Sequence, residues 1–167
     1  MKIAGINDND IADCDNGICV SLWFQGCPHH CNGCHNPETW DINGGKEIDN
    51  KIILSDLISS INKNGIMRKL SILGGEPLAP YNFKDCKYII EGVKLVYPQI
   101  KIYLWTGYTL EELKEMNNND INYILSNIDI LVDGRFELNK RDTSLILRGS
   151  SNQRVFKNKN GVLEQIS

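Results

Sequence analysis

The stretch Ile18-Cys19-Val20-Ser21-Leu22-Trp23-Phe24-Gln25-Gly26-Cys27-Pro28-His29-His30-Cys31-Asn32-Gly33-Cys34 decides how the rest of the chain is read. Its first half places Val20, Leu22 and Phe24 on one side, the alternation of a strand, which ends at Gln25-Gly26. Its second half is a loop rich in Pro, His, Asn and Gly with three cysteines in the spacing C-x3-C-x2-C. Three thiolates in one loop can wrap one metal centre. An iron–sulfur cube has four irons, so three cysteines leave one iron without a protein ligand. An open coordination position marks a site that takes substrate or cofactor, a logic stated for zinc that transfers here. Two other arrangements use the same residues. His29, His30 or His35 could complete a Cys3His zinc site. Cys14, Cys19 or Cys86 could complete a four-cysteine electron-transfer cluster, although Cys19 sits inside the strand and Cys86 on an apolar helix face, where cysteine is ordinarily core.

Outward from this stretch the pattern alternates. Leu54, Leu57, Ile58 and Ile61 recur at helical spacing, with Asn64-Gly65 as a stop. Leu70-Ser71-Ile72-Leu73 is a short strand running into Gly74-Gly75. Cys86, Ile89, Ile90 and Val93 fit one helix face that ends before Pro98, and Ile100 to Trp105 reads as a strand. Thr109-Leu110-Glu111-Glu112 matches a capping box opening a helix with Leu110, Leu113 and Met116. Ile121, Ile124 and Leu125 predict a second short helix, and Ile128 to Val132 another strand. Such β-α-β units give a parallel sheet with ligand loops at the carboxyl ends of its strands. The 167 residues suit one domain, 1–167, and fall short of the roughly 200 that a closed eight-fold barrel needs. The expected fold is therefore α/β, a partial (open) β/α barrel. It ends in a short β-rich tail where Leu145-Ile146-Leu147 and Val155-Phe156 form a terminal hairpin.

Composition narrows the function classes. Hydrophobic residues make up 41% and charged residues 23%, too apolar for a disordered chain. No apolar run approaches the ~18–20 residues of a membrane span, and the start lacks a secretory h-region, so a cytoplasmic location is expected, with no membrane partner. A net charge of -3 argues against a nucleic-acid partner. The charge is uneven: residues 135–167 carry +4 and the preceding residues -7, with four of the five arginines in the tail. Such a tail is a solvated face, or a contact surface for an acidic partner. Six cysteines in a cytosolic chain read as metal ligands or reduced thiols.

The second motif is Gly74-Gly75-Glu76-Pro77, directly after a strand. Paired glycines let a ligand approach the backbone closely. Glu76 offers a carboxylate that could meet an ammonium group, and Pro77 stiffens the exit. With C-x3-C-x2-C about forty residues upstream, the chain resembles the radical S-adenosylmethionine (SAM) enzymes. More narrowly it is similar to the activating proteins of anaerobic (class III) ribonucleoside-triphosphate reductase, from about Asp15 to Arg154. The carriers are Phe24-Gln25-Gly26-Cys27, Cys31-Asn32-Gly33-Cys34-His35-Asn36 with Thr39-Trp40, Gly74-Gly75-Glu76-Pro77, Trp105-Thr106-Gly107-Tyr108, Val132-Asp133-Gly134-Arg135-Phe136 and Arg148-Gly149-Ser150-Ser151-Asn152-Gln153-Arg154. The last two blocks separate this subfamily from other activases. Two departures stand out: Gly33 replaces the aromatic residue common before the third cysteine in the superfamily, and Cys19 stands where Arg is usual.

The resemblance implies a [4Fe–4S] cluster on Cys27, Cys31 and Cys34, with its open iron chelated by the amino and carboxylate groups of SAM. One electron to the sulfonium would give methionine and a 5′-deoxyadenosyl radical. That radical would take a hydrogen atom from a glycine α-carbon in the glycyl-radical subunit of the reductase. A one-electron donor such as flavodoxin or ferredoxin is implied. Gly33 and His35 are expected to touch SAM beside Cys34. Gly74, Gly75 and Glu76 would hold its methionyl end, and Thr106, Asp133 and Arg135 would contact it from strand ends. No catalytic side chain beyond cluster and SAM is implied. Trp23, Trp40 and Trp105 read as core or loop packing. The competing readings are an activase of pyruvate formate-lyase type, or a non-catalytic zinc-binding module.

Overall fold

The computed structural model describes residues 1–167. Its backbone forms one mixed eight-stranded sheet and four α-helices. The strands are β1 (Lys2–Asp10), β2 (Cys19–Phe24), β3 (Lys46–Glu47), β4 (Lys69–Gly74), β5 (Ile102–Trp105), β6 (Ile130–Asp133), β7 (Arg154–Lys159) and β8 (Val162–Gln165). The helices are α1 (Asn50–Ile61), α2 (Phe83–Val96), α3 (Leu110–Glu115) and α4 (Asn119–Asn127). The sheet order is β3-β1-β2-β4-β5-β6-β7-β8. The pairs β2–β4, β4–β5 and β5–β6 are parallel, and every other pair is antiparallel.

The parallel steps all run in one direction across the sheet. Right-handed crossovers then put every connecting helix on the same face. That face holds the main core: Val20, Leu22, Phe24, Leu70, Ile72, Ile102, Leu104 and Leu131 from the strands meet Ile53, Leu57, Ile89, Ile90, Leu113 and Ile124 from the helices. Side-chain caps start α1, α3 and α4, and one of them, the capping box on α3, is the one the sequence predicts. Asp49 accepts from the Lys51 amide at 2.8 Å to open α1. Thr109 and Glu112 close a reciprocal capping box on α3. Asn118 accepts from the Asp120 and Ile121 amides ahead of α4.

The opposite face is covered by irregular chain. Residues between β1 and β2 cross it: Ser71 Oγ donates to the Asp13 carbonyl, and Asp15 takes both Lys69 and the Tyr103 hydroxyl. Cys14 and Cys19 pack there with Tyr103, Val132 and Val155. Cys19, at the position where Arg was the family expectation, is fully buried in that second core. One expectation changes. The C-terminal hairpin is β7 with β8, not Leu145–Leu147 with Val155–Phe156. Leu147 instead adopts φ +66°, and its carbonyl accepts from Trp105 Nε1 at 2.7 Å, so this stretch coils over the strand ends. β1 carries Asn and Asp in alternation and pairs at the free edge of β2. No helix is long and apolar enough to cross a membrane.

Burial works against ionisation of Asp15, but Lys69 and the Tyr103 hydroxyl outweigh it and lower its pKa from 3.8 to about 2. The ionised form is therefore favoured in the folded state. Its contribution is full above pH ~4 and is lost as pH falls through about 2. Asp15→Asn is expected to flatten this part of the acid limb when urea unfolding is followed against pH.

Candidate functional site

Parallel strands end together, so the loops after β2, β4, β5 and β6 meet at one rim. Backbone bonds stitch them. The Gly75 amide donates to the Phe24 carbonyl and the Glu76 amide to the Gly26 carbonyl, each at 2.8 Å. The Gly26 amide reaches the Thr39 carbonyl at 2.8 Å, and the Gly134 amide the Tyr108 carbonyl at 3.1 Å. Between them opens a cleft of about 360 Å³. Cys27, Cys31 and Cys34 line it together, with His29, His35, Gly74, Gly75, Thr106 and Gly107. Trp23, Leu73 and Trp105 form its sheet wall, and Trp40 lines it as well. The three tryptophans expected as packing thus all face the cleft.

Close approach explains the glycine pair. Gly74 has φ +104°, and a Cβ there would lie 2.6 Å from the Phe24 amide nitrogen. At Gly75 it would lie 2.4 Å from the Gly26 carbonyl oxygen. Backbone, not a flexible side chain, fills both spaces. Gly33 also has positive φ, and it sits beside Leu138 rather than on the cleft wall.

The carboxylates expected to contact a ligand have protein partners. Glu76 is fully buried, and its oxygens accept from Leu78 N (2.9 Å), Thr106 Oγ1 (2.8 Å), Gly107 N (2.7 Å) and His29 Nε2 (2.9 Å). Asp133, also fully buried, accepts from Leu110 N at 2.7 Å and from two nitrogens of Arg154, which continues to Glu111. The two carboxylates hold the Arg154 guanidinium in its charged form. Arg135 is exposed, bonded to Glu112 and lying over the Tyr108 ring. The side chains of Glu76, Asp133 and Arg135 therefore stand behind or beside the cleft rather than on its lining. The Arg148–Arg154 block has a local role. Gln153 accepts from the Gly149 and Ser150 amides and donates to the Gly134 carbonyl, tying the tail to the loop after β6. Arg135, Lys140, Arg154 and Lys159 are all in ion pairs, so much of the tail's positive charge is met within the chain.

The candidates for a fourth ligand make other contacts. His29 bonds Glu76, His30 stacks on Trp40 at 4.9 Å, and His35 meets the Phe136 ring edge at 5.9 Å. Cys14, Cys19 and Cys86 are buried in the two cores, away from the cleft lining. No three His, Cys, Asp or Glu side chains group as ligands of a single metal ion. Three thiols spread round one cleft are a donor set of the kind that iron–sulfur clusters take, and Trp40 Nε1 is a buried donor without a protein partner. Burial pushes the Cys27 thiol up to about 11, and the Cys31 thiol upward as well. Asp13 is the one acidic residue on the lining, and sequence reading missed it. Burial first, then Asp10 beside it, raises its carboxyl to about 7. No local pattern marks it, because its neighbours come from β1, β2 and β4.

An open α/β sheet that gathers three thiols of one loop at its parallel strand ends defines an iron–sulfur protein. The family model described as a 4Fe-4S single cluster domain matches residues 15–156. An anaerobic ribonucleoside-triphosphate reductase-activating protein of Escherichia coli (strain K12) is 37% identical over 140 residues, covering 83% of this chain and 88% of the relative. Its namesake in Enterobacteria phage T4 is 34% identical over 161 residues, covering 94% and 97%. That in Pasteurella multocida (strain Pm70) is 39% identical over 145 residues, covering 84% and 88%. The chain belongs to this family of reductase-activating proteins with a 4Fe-4S cluster domain.

Because backbone fills the space at both glycines, Gly74→Ala and Gly75→Ala are each expected to destabilise the fold by ~1–3 kcal/mol. The measurement is the midpoint of urea unfolding, against Gly5→Ala, which meets nothing within 4 Å.

Proposed function

We propose that the chain, as one domain spanning 1–167, is a radical SAM activase of the anaerobic ribonucleoside-triphosphate reductase. The observation that carries this reading is the shared cleft. The three thiols of C-x3-C-x2-C and the side-chain-free wall of Gly74-Gly75 line one opening at the carboxyl ends of the parallel strands, in a chain of this family. The sheet with helices on one face is then read as the shortened, open barrel of radical SAM enzymes.

In this reading Cys27, Cys31 and Cys34 would hold a [4Fe–4S] cluster, and SAM would bind beside it. When bound, the pair supplies low-potential one-electron cleavage of the sulfonium, and with it the hydrogen abstraction that leaves a glycyl radical on the reductase. Gly74 and Gly75 let the methionyl end press against bare backbone. Gly33 and His35 flank the third thiol, and His35 lies on the cleft lining. Thr106 and Glu76 shape the wall: the Thr106 hydroxyl donates to Glu76, which keeps its orientation fixed. Asp133 and Arg135 act at a remove. Asp133 anchors the start of α3 through Leu110, and Arg135 braces the same helix through Glu112. Trp23, Leu73 and Trp105 supply an apolar wall that excludes water. The reductant is a one-electron donor of flavodoxin or ferredoxin type, and the setting is the cytoplasm.

Anaerobic purification is expected to yield about four irons and four sulfides per chain. Cys→Ala at Cys27, Cys31 or Cys34 should remove them, and Cys14→Ala/Cys19→Ala/Cys86→Ala together should not. With a strong reductant and SAM, the protein should install an EPR-visible glycyl radical on the anaerobic reductase. One zinc and no iron would end the reading. A radical formed only on a pyruvate formate-lyase would move it to that class of activase.

A further inference from the structure

Cys34 stands between Gly33 and His35. Neither neighbour fixes it unaided. Gly33 has φ +76° and no side chain, so it adds chain freedom next to the thiol. His35 is exposed. The loop after β6 reaches both of them. A Cβ at Gly33 would lie 2.8 Å from Leu138 Cδ1, so the leucine rests on the glycine's bare face. Two residues earlier, the Phe136 ring meets the His35 ring edge-on at 5.9 Å, and it lines the cleft together with Cys31 and Cys34. One loop thus contacts the residue before the third thiol and the residue after it.

That loop has only the single 3-10 turn Leu138–Lys140 of its own, and the C-terminal tail supplies the rest of its support. Gln153 Nε2 donates to the Gly134 carbonyl at 3.0 Å, and Asn152 Nδ2 to the Arg135 carbonyl at 2.8 Å. The Glu137 amide donates to Ser150 Oγ at 3.2 Å, and the Ser151 amide to the Lys140 carbonyl at 2.9 Å. Gly149 leaves room for the ring: a Cβ there would lie 3.2 Å from Phe136 Cδ2. Backbone groups from Gly134 to Lys140 are therefore tied to the tail, and Phe136 and Leu138 reach the thiol loop from a braced support.

We propose that Phe136 and Leu138 are positioning residues for Cys34: the loop after β6 grips both neighbours of the third thiol, and the Gly149–Gln153 stretch braces that loop, so the tail governs how firmly a bound cluster is kept. The inference rests on the cluster reading above and gives the tail a part in it. A cluster with three protein ligands has no spare attachment, so freedom at one thiolate opens it to competing ligands. Groups that orient a metal ligand without touching the metal typically govern about 10–100-fold in affinity. Here they act by packing, since both side chains are apolar.

The test reconstitutes wild type, Leu138→Ala, Leu138→Met, Phe136→Ala and Gln153→Ala with iron and sulfide. Iron loss to excess EDTA is followed through the cluster's visible absorption, and the reduced-cluster EPR signal is recorded without SAM. Leu138 is 46% exposed, so shortening it leaves the fold standing. Leu163→Ala, against the main core and off the cleft lining, controls for general loosening. The expected result is iron release about 10-fold faster in Leu138→Ala and Phe136→Ala, with an altered EPR signal. Leu138→Met, which keeps an apolar side chain of similar volume, is expected to stay near wild type. Failure of Leu138→Ala to load, with normal loading of Leu138→Met, supports the same role. Gln153→Ala is expected to shift release in the same direction, and a wild-type rate there overturns the tail's part. Wild-type release and signal in both Leu138→Ala and Phe136→Ala overturn the proposal. Equal acceleration in Leu163→Ala overturns it too, because iron loss would then follow global stability. A wild type that takes up no cluster sinks the underlying functional reading instead, so the two failures are distinguishable.

Discussion

A single buried carboxylate organises the working end of this protein. Glu76 has no access to water, and a buried anion without compensating donors is costly. It finds four donors: one in its own turn, two in the loop after β5 and one in the cysteine loop. Meeting that requirement draws three separate loops to one point. Leaving a buried acceptor without its donor costs roughly 1–3 kcal/mol and more for a charged one, so the loops are fixed relative to each other far more tightly than their irregular backbone suggests.

Asp133 repeats the device one strand further on. It is buried, caps the entry to α3 through the Leu110 amide, and takes the Arg154 guanidinium from β7. Arg154 also reaches Glu111, so helix, parallel strand and antiparallel tail share one charged junction. From sequence the positive excess of the C-terminal residues reads as a solvated face or an offer to a partner, and in space two of its arginines, Arg135 and Arg154, brace carboxylates elsewhere in the chain.

The parallel repeat was legible because its signals are local. Strands buried on both faces read as short apolar runs, and helices at spacings of three and four, and both survive folding unchanged. The cysteine spacing was legible for the same reason. What escaped was non-local. β1 exists because β2 offers it an edge, and its Asn7-Asp8-Asn9-Asp10 stretch carries no strand signature of its own. Leu145-Ile146-Leu147 has the composition of a strand, but Trp105 needs an acceptor for its indole, and Leu147 turns its carbonyl there. The pairing of His29 with Glu76 likewise joins residues whose neighbours in sequence say nothing of each other.

The strand-end loops bond to one another through backbone amides as well as through Glu76, and α3 is tied to them through Asp133 and Arg135. Evolution and engineering thus face an indivisible part. Swapping in one segment from a distant homologue leaves its former neighbours mismatched, whereas transplanting the complete ring onto the same scaffold preserves every internal tie.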